Sequence, residues 1–205
     1  MLTNLPNLLT MSRILVIPPI VALFFVQGDM ARWVTLGLYA AACVTDFFDG
    51  YVARSRGQIS KLGRFLDPVA DKLLVASVIL MLVATGRISG LVVLPALIIL
   101  IREILVSGLR EHLASIAVGV PVSRLAKWKT MIQMFSLGFL IVYDASPAWI
   151  PSIWIGDIGV WAAAILTLIT GYDYLRAGLG HLTADPEPRP APDKVKPAET
   201  ARNLG

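Results

Sequence analysis

Six strongly apolar segments follow one another along this chain of 205 residues, and the short connections between them are rich in charged residues. The segments span residues 5–26, 31–52, 69–85, 89–109, 130–143 and 154–175. Most approach the ~20 residues that a helix needs to cross ~30 Å of hydrocarbon. A mean hydropathy of +0.71 is too high for a soluble domain. The sequence therefore predicts an all-α integral membrane protein with six transmembrane helices.

Both ends of the chain depart from this pattern. Pro6, Pro18 and Pro19 interrupt the first segment, so we expect its first part to lie at the membrane interface as a short amphipathic helix. Residues 183–205 are rich in proline, alanine and charge, which predicts a disordered cytoplasmic tail. The expected organisation is one six-helix transmembrane domain over 1–182, followed by that tail.

Positive charge is concentrated in two of the connections. Cations cluster between the second and third spans and again around the connection between spans four and five, namely Arg54, Arg56, Lys61, Arg64, Arg110, Arg124, Lys127 and Lys129. The opposite loops carry only Arg32 and Arg87. By the positive-inside rule, both basic connections and both termini face the cytoplasm, and we expect a cell inner (plasma) membrane. The net charge of +4 suits contact with anionic membrane lipids, and no nucleic-acid partner is expected.

Four aspartates lie where the second and third apolar segments meet: Asp46, Asp49, Asp67 and Asp71. An aspartate at the centre of a spanning helix costs about 2.5–3.5 kcal/mol, so four of them require bound cations or another compensation. The first two are spaced i, i+3 and the last two i, i+4, so each pair projects from one helical face. Oxygen ligands without a nearby histidine or cysteine cluster favour magnesium or manganese. The sequence thus predicts metal-assisted chemistry on a phosphate.

The aspartates belong to a longer pattern. From Asp46 to Asp71 the sequence reads D-x2-D-G-x2-A-R-x8-G-x3-D-x3-D, which resembles the complete motif of the CDP-alcohol phosphotransferase family. Eight fixed positions over 26 residues make a chance match negligible. The stretches 4–13, 67–72, 102–111 and 127–133 also look like those members that use sn-glycerol 3-phosphate.

The resemblance implies a reaction and a set of ligands. Members of the family transfer a phosphatidyl group from CDP-diacylglycerol to an alcohol, here sn-glycerol 3-phosphate, giving phosphatidylglycerophosphate and CMP. The four aspartates would hold two Mg2+ or Mn2+ ions. Asp67 and Asp71 would be the catalytic residues, with Asp71 acting as base toward the acceptor hydroxyl. The family also implies a homodimer.

The donor nucleotide would lie against the middle of the motif. The residues expected there are Asp49, Gly50, Ala53, Arg54 and Gly63. The glycines and the alanine let the nucleotide approach the backbone closely. Arg54 has two interpretations, a ligand of a donor phosphate or a counter-ion of an aspartate.

Three residues near these positions have ordinary structural interpretations. Asp67 followed by Pro68 fits an N-cap and first helical residue of span three, which is compatible with a role in the site. Lys72 is interpreted as a counter-ion or snorkelling cation rather than a ligand.

The acceptor would need cations for its phosphate, and spans four and five supply Arg102, Arg110, Lys127 and Lys129. Each could equally be an ordinary positive-inside residue. Arg102 is the hardest to explain in that way, because it lies deeper in an apolar span. Glu103 shares a helical stripe with Arg110, so the two could pair.

Two alternatives stay open on the residues alone. A sister enzyme using inositol phosphate, serine or phosphatidylglycerol would keep the same aspartates, and the cation cluster does not separate glycerol phosphate from inositol phosphate. A divalent-cation transporter would also use intramembrane carboxylates. Transport sites usually lie near the membrane midplane on broken or repeated helices, whereas these aspartates gather at one cytoplasmic edge.

Overall fold

The structure is a computed structural model that describes residues 5–56, 61–115 and 124–182. Within these ranges the chain forms six α-helices and no strand. The helices are α1 (Leu5–Phe24), α2 (Asp29–Arg56), α3 (Lys61–Ala84), α4 (Val93–Ser115), α5 (Arg124–Val142) and α6 (Ser152–Leu182). Single 3-10 turns occupy Gly90–Val92 and Tyr143–Ala145. The all-α prediction is confirmed for these residues, and the predicted tail lies outside them.

Three stretches in the described part of the chain are long and apolar enough to cross a membrane, namely Gly90–Ala114, Arg124–Ala145 and Ser152–Arg176. A shorter apolar stretch covers Thr10–Phe24. Each of the six predicted segments coincides with a helix, although α3 begins well before residue 69. These apolar helices are those of a membrane protein.

The first helix corrects one expectation. α1 runs without a break from Leu5 to Phe24, with Pro18 and Pro19 inside it, so the prolines do not turn the chain. α1 packs along both α2 and α3. Packing against neighbouring helices allows a membrane helix to tolerate the loss of the backbone hydrogen bonds that prolines cannot form.

A second proline corrects the expected start of α3. Pro68 lies inside this helix, which begins at Lys61, so Asp67 is not its N-cap. The Lys72 ammonium donates a hydrogen bond to the Pro68 carbonyl oxygen at 2.8 Å. Lys72 therefore has a backbone partner one turn earlier on its own helix, consistent with a structural role.

Small residues bring α5 and α6 close together. A Cβ atom added at Gly156 would lie 2.5 Å from Cγ of Leu140, and one at Gly159 would overlap the side chain of Ser136. Close approach at small residues is a common way for helices to associate in a membrane. It sets α6 beside α5, and α6 also packs against α4, so the C-terminal half of α6 reaches the site described next.

Candidate active site

Asp46 on α2 is held by an arginine from α1. Nη1 of Arg13 donates to Oδ1 of Asp46. The Arg13 side chain is 1% exposed and that of Asp46 is 35% exposed, so a buried cation meets a carboxylate that solvent reaches. An opposite charge of this kind is what permits an arginine to lie in a protein interior. Sequence reasoning assigned Arg13 no role, and the one signal for it was a cation in an apolar segment.

Asp71 on α3 is partly buried and lies within electrostatic range of the same part of α2. Cys43 interacts electrostatically with both Asp46 and Asp71, and Tyr39 interacts with Asp71. Tyr39 in turn donates from its hydroxyl to the Met134 carbonyl oxygen on α5 at 3.4 Å. Aspartates from α2 and α3 thus approach one residue, Cys43.

The other motif residues lie on the same two helices. Asp49, Gly50, Ala53 and Arg54 belong to the last turns of α2, and Gly63 and Asp67 to the first turns of α3. Their side chains lie outside the described part of the structure. Among the residues that are described, no group of three or more metal-ligating side chains occurs.

The four predicted acceptor cations have different environments. Lys129 is 2% exposed and donates to a carboxylate oxygen of Glu103 on α4. Arg102 is also largely buried, with a side chain 14% exposed. Arg110 and Lys127 are exposed. Glu103 therefore forms an ion pair with Lys129, not the pair with Arg110 that the helical spacing suggested.

Electrostatic interactions connect this group of cations with Asp71. Lys129 interacts with Arg102 on α4 and with Asp71 and Lys72 on α3. Lys72 interacts with Asp71 and with Arg110. Side chains from α3, α4 and α5 therefore meet in one region, where a carboxylate lies among several cations.

Sequence reasoning missed the contribution of α6. Nη2 of Arg102 donates to Oγ1 of Thr170 at 3.1 Å. The Arg102 guanidinium carbon lies 5.8 Å from the centre of the Tyr174 ring, within cation–π range. A threonine and a tyrosine in an apolar helix are ordinary residues, so the sequence carried no signal for this contact.

An apolar groove lies between α2 and α5. It has a volume of about 690 Å³. Cys43 and Val44 line one end, and Trp33 and Ile150 line the other. Its lining is almost entirely apolar, so the groove suits hydrocarbon better than a charged ligand.

The helical architecture and the motif on α2 and α3 lead to a family. Residues 3–169 match the family model of the CDP-alcohol phosphatidyltransferases, and the chain belongs to this family. The resemblance seen in the motif is thereby confirmed.

Curated relatives carry one shared name. The CDP-diacylglycerol–glycerol-3-phosphate 3-phosphatidyltransferase of Rickettsia typhi is 49% identical over 174 residues, which cover 85% of this chain and 96% of the relative. The protein of that name from Salmonella choleraesuis is 40% identical over 184 residues. The one from Cereibacter sphaeroides is 35% identical over 214 residues. Each of these two alignments covers 87% of this chain and 97% of the relative.

Proposed function

We propose that this chain transfers the phosphatidyl group of CDP-diacylglycerol to sn-glycerol 3-phosphate, forming phosphatidylglycerophosphate and CMP. The observation that carries the proposal is that Asp71 lies within electrostatic range of buried Lys129, a cation of the predicted acceptor set. The shared name of the relatives supports the same reaction.

The bond changes follow from the two substrates. The oxygen of the primary hydroxyl of glycerol 3-phosphate bonds to the phosphorus that carries diacylglycerol. The bond from that phosphorus to the oxygen bridging to CMP breaks, and CMP leaves with the electron pair. Asp71 takes the hydroxyl proton. Since a carboxylate is a weak base at neutral pH, alignment of the hydroxyl with the phosphorus contributes a large part of the rate.

The motif aspartates fit a hard divalent cation. Their carboxylate oxygens are the ligands that Mg2+ and Mn2+ prefer, and members of this family generally use divalent metals. Asp46 keeps 35% of its side chain exposed beside Arg13, so a cation can approach it from solvent. We assign two such ions to Asp46, Asp49, Asp67 and Asp71. When bound, they would lower the pKa of the acceptor hydroxyl and neutralise the departing phosphate.

The donor would occupy two neighbouring places. Its cytidine diphosphate would border the helix positions Asp49, Gly50, Ala53, Arg54 and Gly63. One of its acyl chains would enter the apolar groove between α2 and α5, because that groove begins at Cys43, which also approaches the aspartates. This arrangement would leave the reacting phosphorus between the apolar and the charged parts of the site.

The acceptor phosphate would be bound by two buried cations and two exposed ones. Lys129 interacts electrostatically with both Asp71 and Arg102, and we assign Lys129 and Arg102 the phosphate in the reacting position. Arg110 and Lys127 are exposed, so we assign them to the approach of the anion from solvent.

We further propose that all six helices cross a cell inner membrane with the site facing the cytoplasm, and that the chain forms a homodimer. The coincidence of six helices with six apolar segments supports the crossing, and the basic connections support the orientation. Single cysteines in a Cys43→Ser background provide a test. Ser89→Cys should react with an impermeant maleimide from the outside and His112→Cys should not, and the opposite pattern would reverse the orientation. The dimer is tested by the mass of the purified protein in detergent.

The reaction is tested by CMP release from CDP-diacylglycerol with Mg2+ by the purified protein. Glycerol 3-phosphate, inositol phosphate, serine and phosphatidylglycerol are offered in parallel. Release with glycerol 3-phosphate alone is expected. Release with another acceptor instead would overturn the acceptor assignment, and release with none would overturn the transferase proposal.

A further inference from the structure

Arg102 lies in an apolar helix, and its closest described partners are mostly uncharged. Its Nη2 donates to Thr170, and its guanidinium lies over the Tyr174 ring. Both partners are on α6 and are buried, with Thr170 1% and Tyr174 6% exposed. Such partners orient a guanidinium without cancelling its charge.

The carboxylate nearest to Arg102 is shared with another cation. Oε2 of Glu103 lies 3.9 Å from Nη1 of Arg102, while Oε1 of the same group accepts a hydrogen bond from Lys129. The single carboxylate of Glu103 therefore interacts with two cations, Arg102 and Lys129. Together the three side chains keep a net charge of +1. Nε of Arg102 is buried and has no hydrogen-bond partner in the described structure, so the guanidinium retains unused donor capacity.

Thr170 is itself fixed in orientation. Its hydroxyl donates to the Leu166 carbonyl oxygen at 2.8 Å, one turn earlier on α6. Because the hydroxyl proton is used in this bond, the oxygen is available to accept from Arg102. The threonine thus acts as a fixed acceptor rather than a rotating hydroxyl.

Gly171 supplies the space for the arginine stem. A Cβ atom at this position would lie 3.1 Å from Cγ of Arg102 and 3.6 Å from its Nε. The first distance is tighter than ordinary van der Waals contact, so a methyl group here would displace the stem. Gly171 therefore lets α6 pack directly on Arg102.

We propose that Thr170, Gly171 and Tyr174 form a positioning surface on α6 that holds the Arg102 guanidinium for the phosphate of the acceptor. The three residues act through Arg102 and do not touch the reacting atoms. Because these partners are neutral, the positive charge of Arg102 can still bind a phosphorylated acceptor. A carboxylate in their place would neutralise the arginine charge. The inference rests on the proposed function, because it takes the acceptor phosphate as the ligand of Arg102.

The test compares two threonines on the same helix. Thr170→Val removes the acceptor of the Arg102 hydrogen bond with little change in shape, and we expect KM for glycerol 3-phosphate to rise about tenfold. We expect kcat and KM for CDP-diacylglycerol to change less than about twofold. Thr167→Val is the matched control, since Thr167 is fully buried one turn away and its hydroxyl has no partner in the described structure.

Further variants separate positioning from general packing. Thr170→Ser should restore KM, Gly171→Ala should raise it, and Tyr174→Phe should change it less than Tyr174→Leu because phenylalanine keeps the ring face. Binding without turnover is measured as thermal stabilisation of each variant by glycerol 3-phosphate, in protein that also carries Asp71→Asn. The concentration giving half of the full stabilisation should rise in Thr170→Val as KM does.

The variant Arg102→Ala separates the positioning role of α6 from the assignment of Arg102 to the acceptor phosphate. If Arg102→Ala raises KM for glycerol 3-phosphate and Thr170→Val adds nothing in that background, the positioning role is supported. If Arg102→Ala raises KM but Thr170→Val alone leaves it unchanged, the positioning surface is overturned and the acceptor assignment stands. An unchanged KM in Arg102→Ala would overturn both.

Discussion

Arg13 on α1 and Asp46 on α2 form an ion pair in which the arginine is 1% exposed and the aspartate 35% exposed. The energetic cost of removing one partner therefore depends on which of the two charges is left behind. A carboxylate in contact with water keeps much of its hydration, whereas a buried guanidinium does not. The pair also joins the first helix to the helix that begins the motif.

This asymmetry predicts an order of stabilities. Asp46→Asn removes a negative charge that pairs with buried Arg13, and we expect it to lower the free energy of unfolding by about 3 kcal/mol. Arg13→Met removes the buried charge itself and should cost less, about 1 kcal/mol. Unfolding in detergent followed by circular dichroism measures both changes. The reverse order would contradict the account of the pair.

Asp71 provides a test of the proposed base. Asp71→Asn should reduce CMP release by at least about a hundredfold while the protein stays folded in detergent, because the amide cannot take the hydroxyl proton. Asp144→Asn is the matched control, since Asp144 is 61% exposed and paired with Arg32 away from the site. Normal activity in Asp71→Asn would remove Asp71 from the mechanism.

Lys129 and Glu103 have to be changed together. Lys129→Met alone would leave the Glu103 carboxylate without its lysine partner, so a loss of stability would obscure the kinetics. The double variant Lys129→Met with Glu103→Gln should fold and should raise KM for glycerol 3-phosphate about tenfold with a smaller change in kcat. Arg124→Ala, at the exposed start of the same helix, serves as the control. An unchanged KM in the double variant would mean that Lys129 has only a structural role and does not bind the acceptor phosphate.

Removal of divalent metal should stop the reaction. We expect EDTA to abolish CMP release and added Mg2+ or Mn2+ to restore it. Binding of Mn2+ measured by electron paramagnetic resonance should show two sites in the native protein and weaker binding in Asp49→Asn and Asp67→Asn. Equal Mn2+ binding in all three proteins would contradict the assignment of these aspartates.

The groove between α2 and α5 predicts a dependence on acyl chains. Ala40 lines the groove, and Ala40→Phe should fill part of it and raise KM for long-chain CDP-diacylglycerol several-fold. A short-chain donor should be affected less. Val34→Phe, at an exposed position of the same helix and outside the groove, should leave both KM values unchanged. Equal effects on long and short donors would place the acyl chain elsewhere.

Helix positions could be predicted from the sequence because each apolar segment is bounded by charged or turn-forming residues. Two boundaries were wrong for the same reason. Pro18 and Pro68 were expected to mark helix limits, yet both lie inside helices. Neighbouring helices stabilise a continuous helix enough to offset a missing backbone hydrogen bond, and local sequence does not reveal those neighbours.

The candidate site was partly predictable. Lys127 and Lys129 were grouped because both are cations at the predicted cytoplasmic end of span five, but two residues correspond to about 200° around a helix. One side chain is therefore exposed and the other buried. Glu103 was paired with Arg110 on its own helix, whereas it bonds to Lys129 on α5. Partners from another helix depend on packing and have no signature in sequence spacing.

The membrane class, the motif and hence the family could be read from the amino-acid sequence, because apolar length and the spacing of eight motif residues are local properties of the chain. Tertiary structure alone decided that Arg13 holds Asp46, that Glu103 holds Lys129, and that Thr170 and Tyr174 on α6 hold Arg102. A charge in an apolar bundle must be satisfied by whichever polar group packing brings to it, and that group can lie anywhere in the chain.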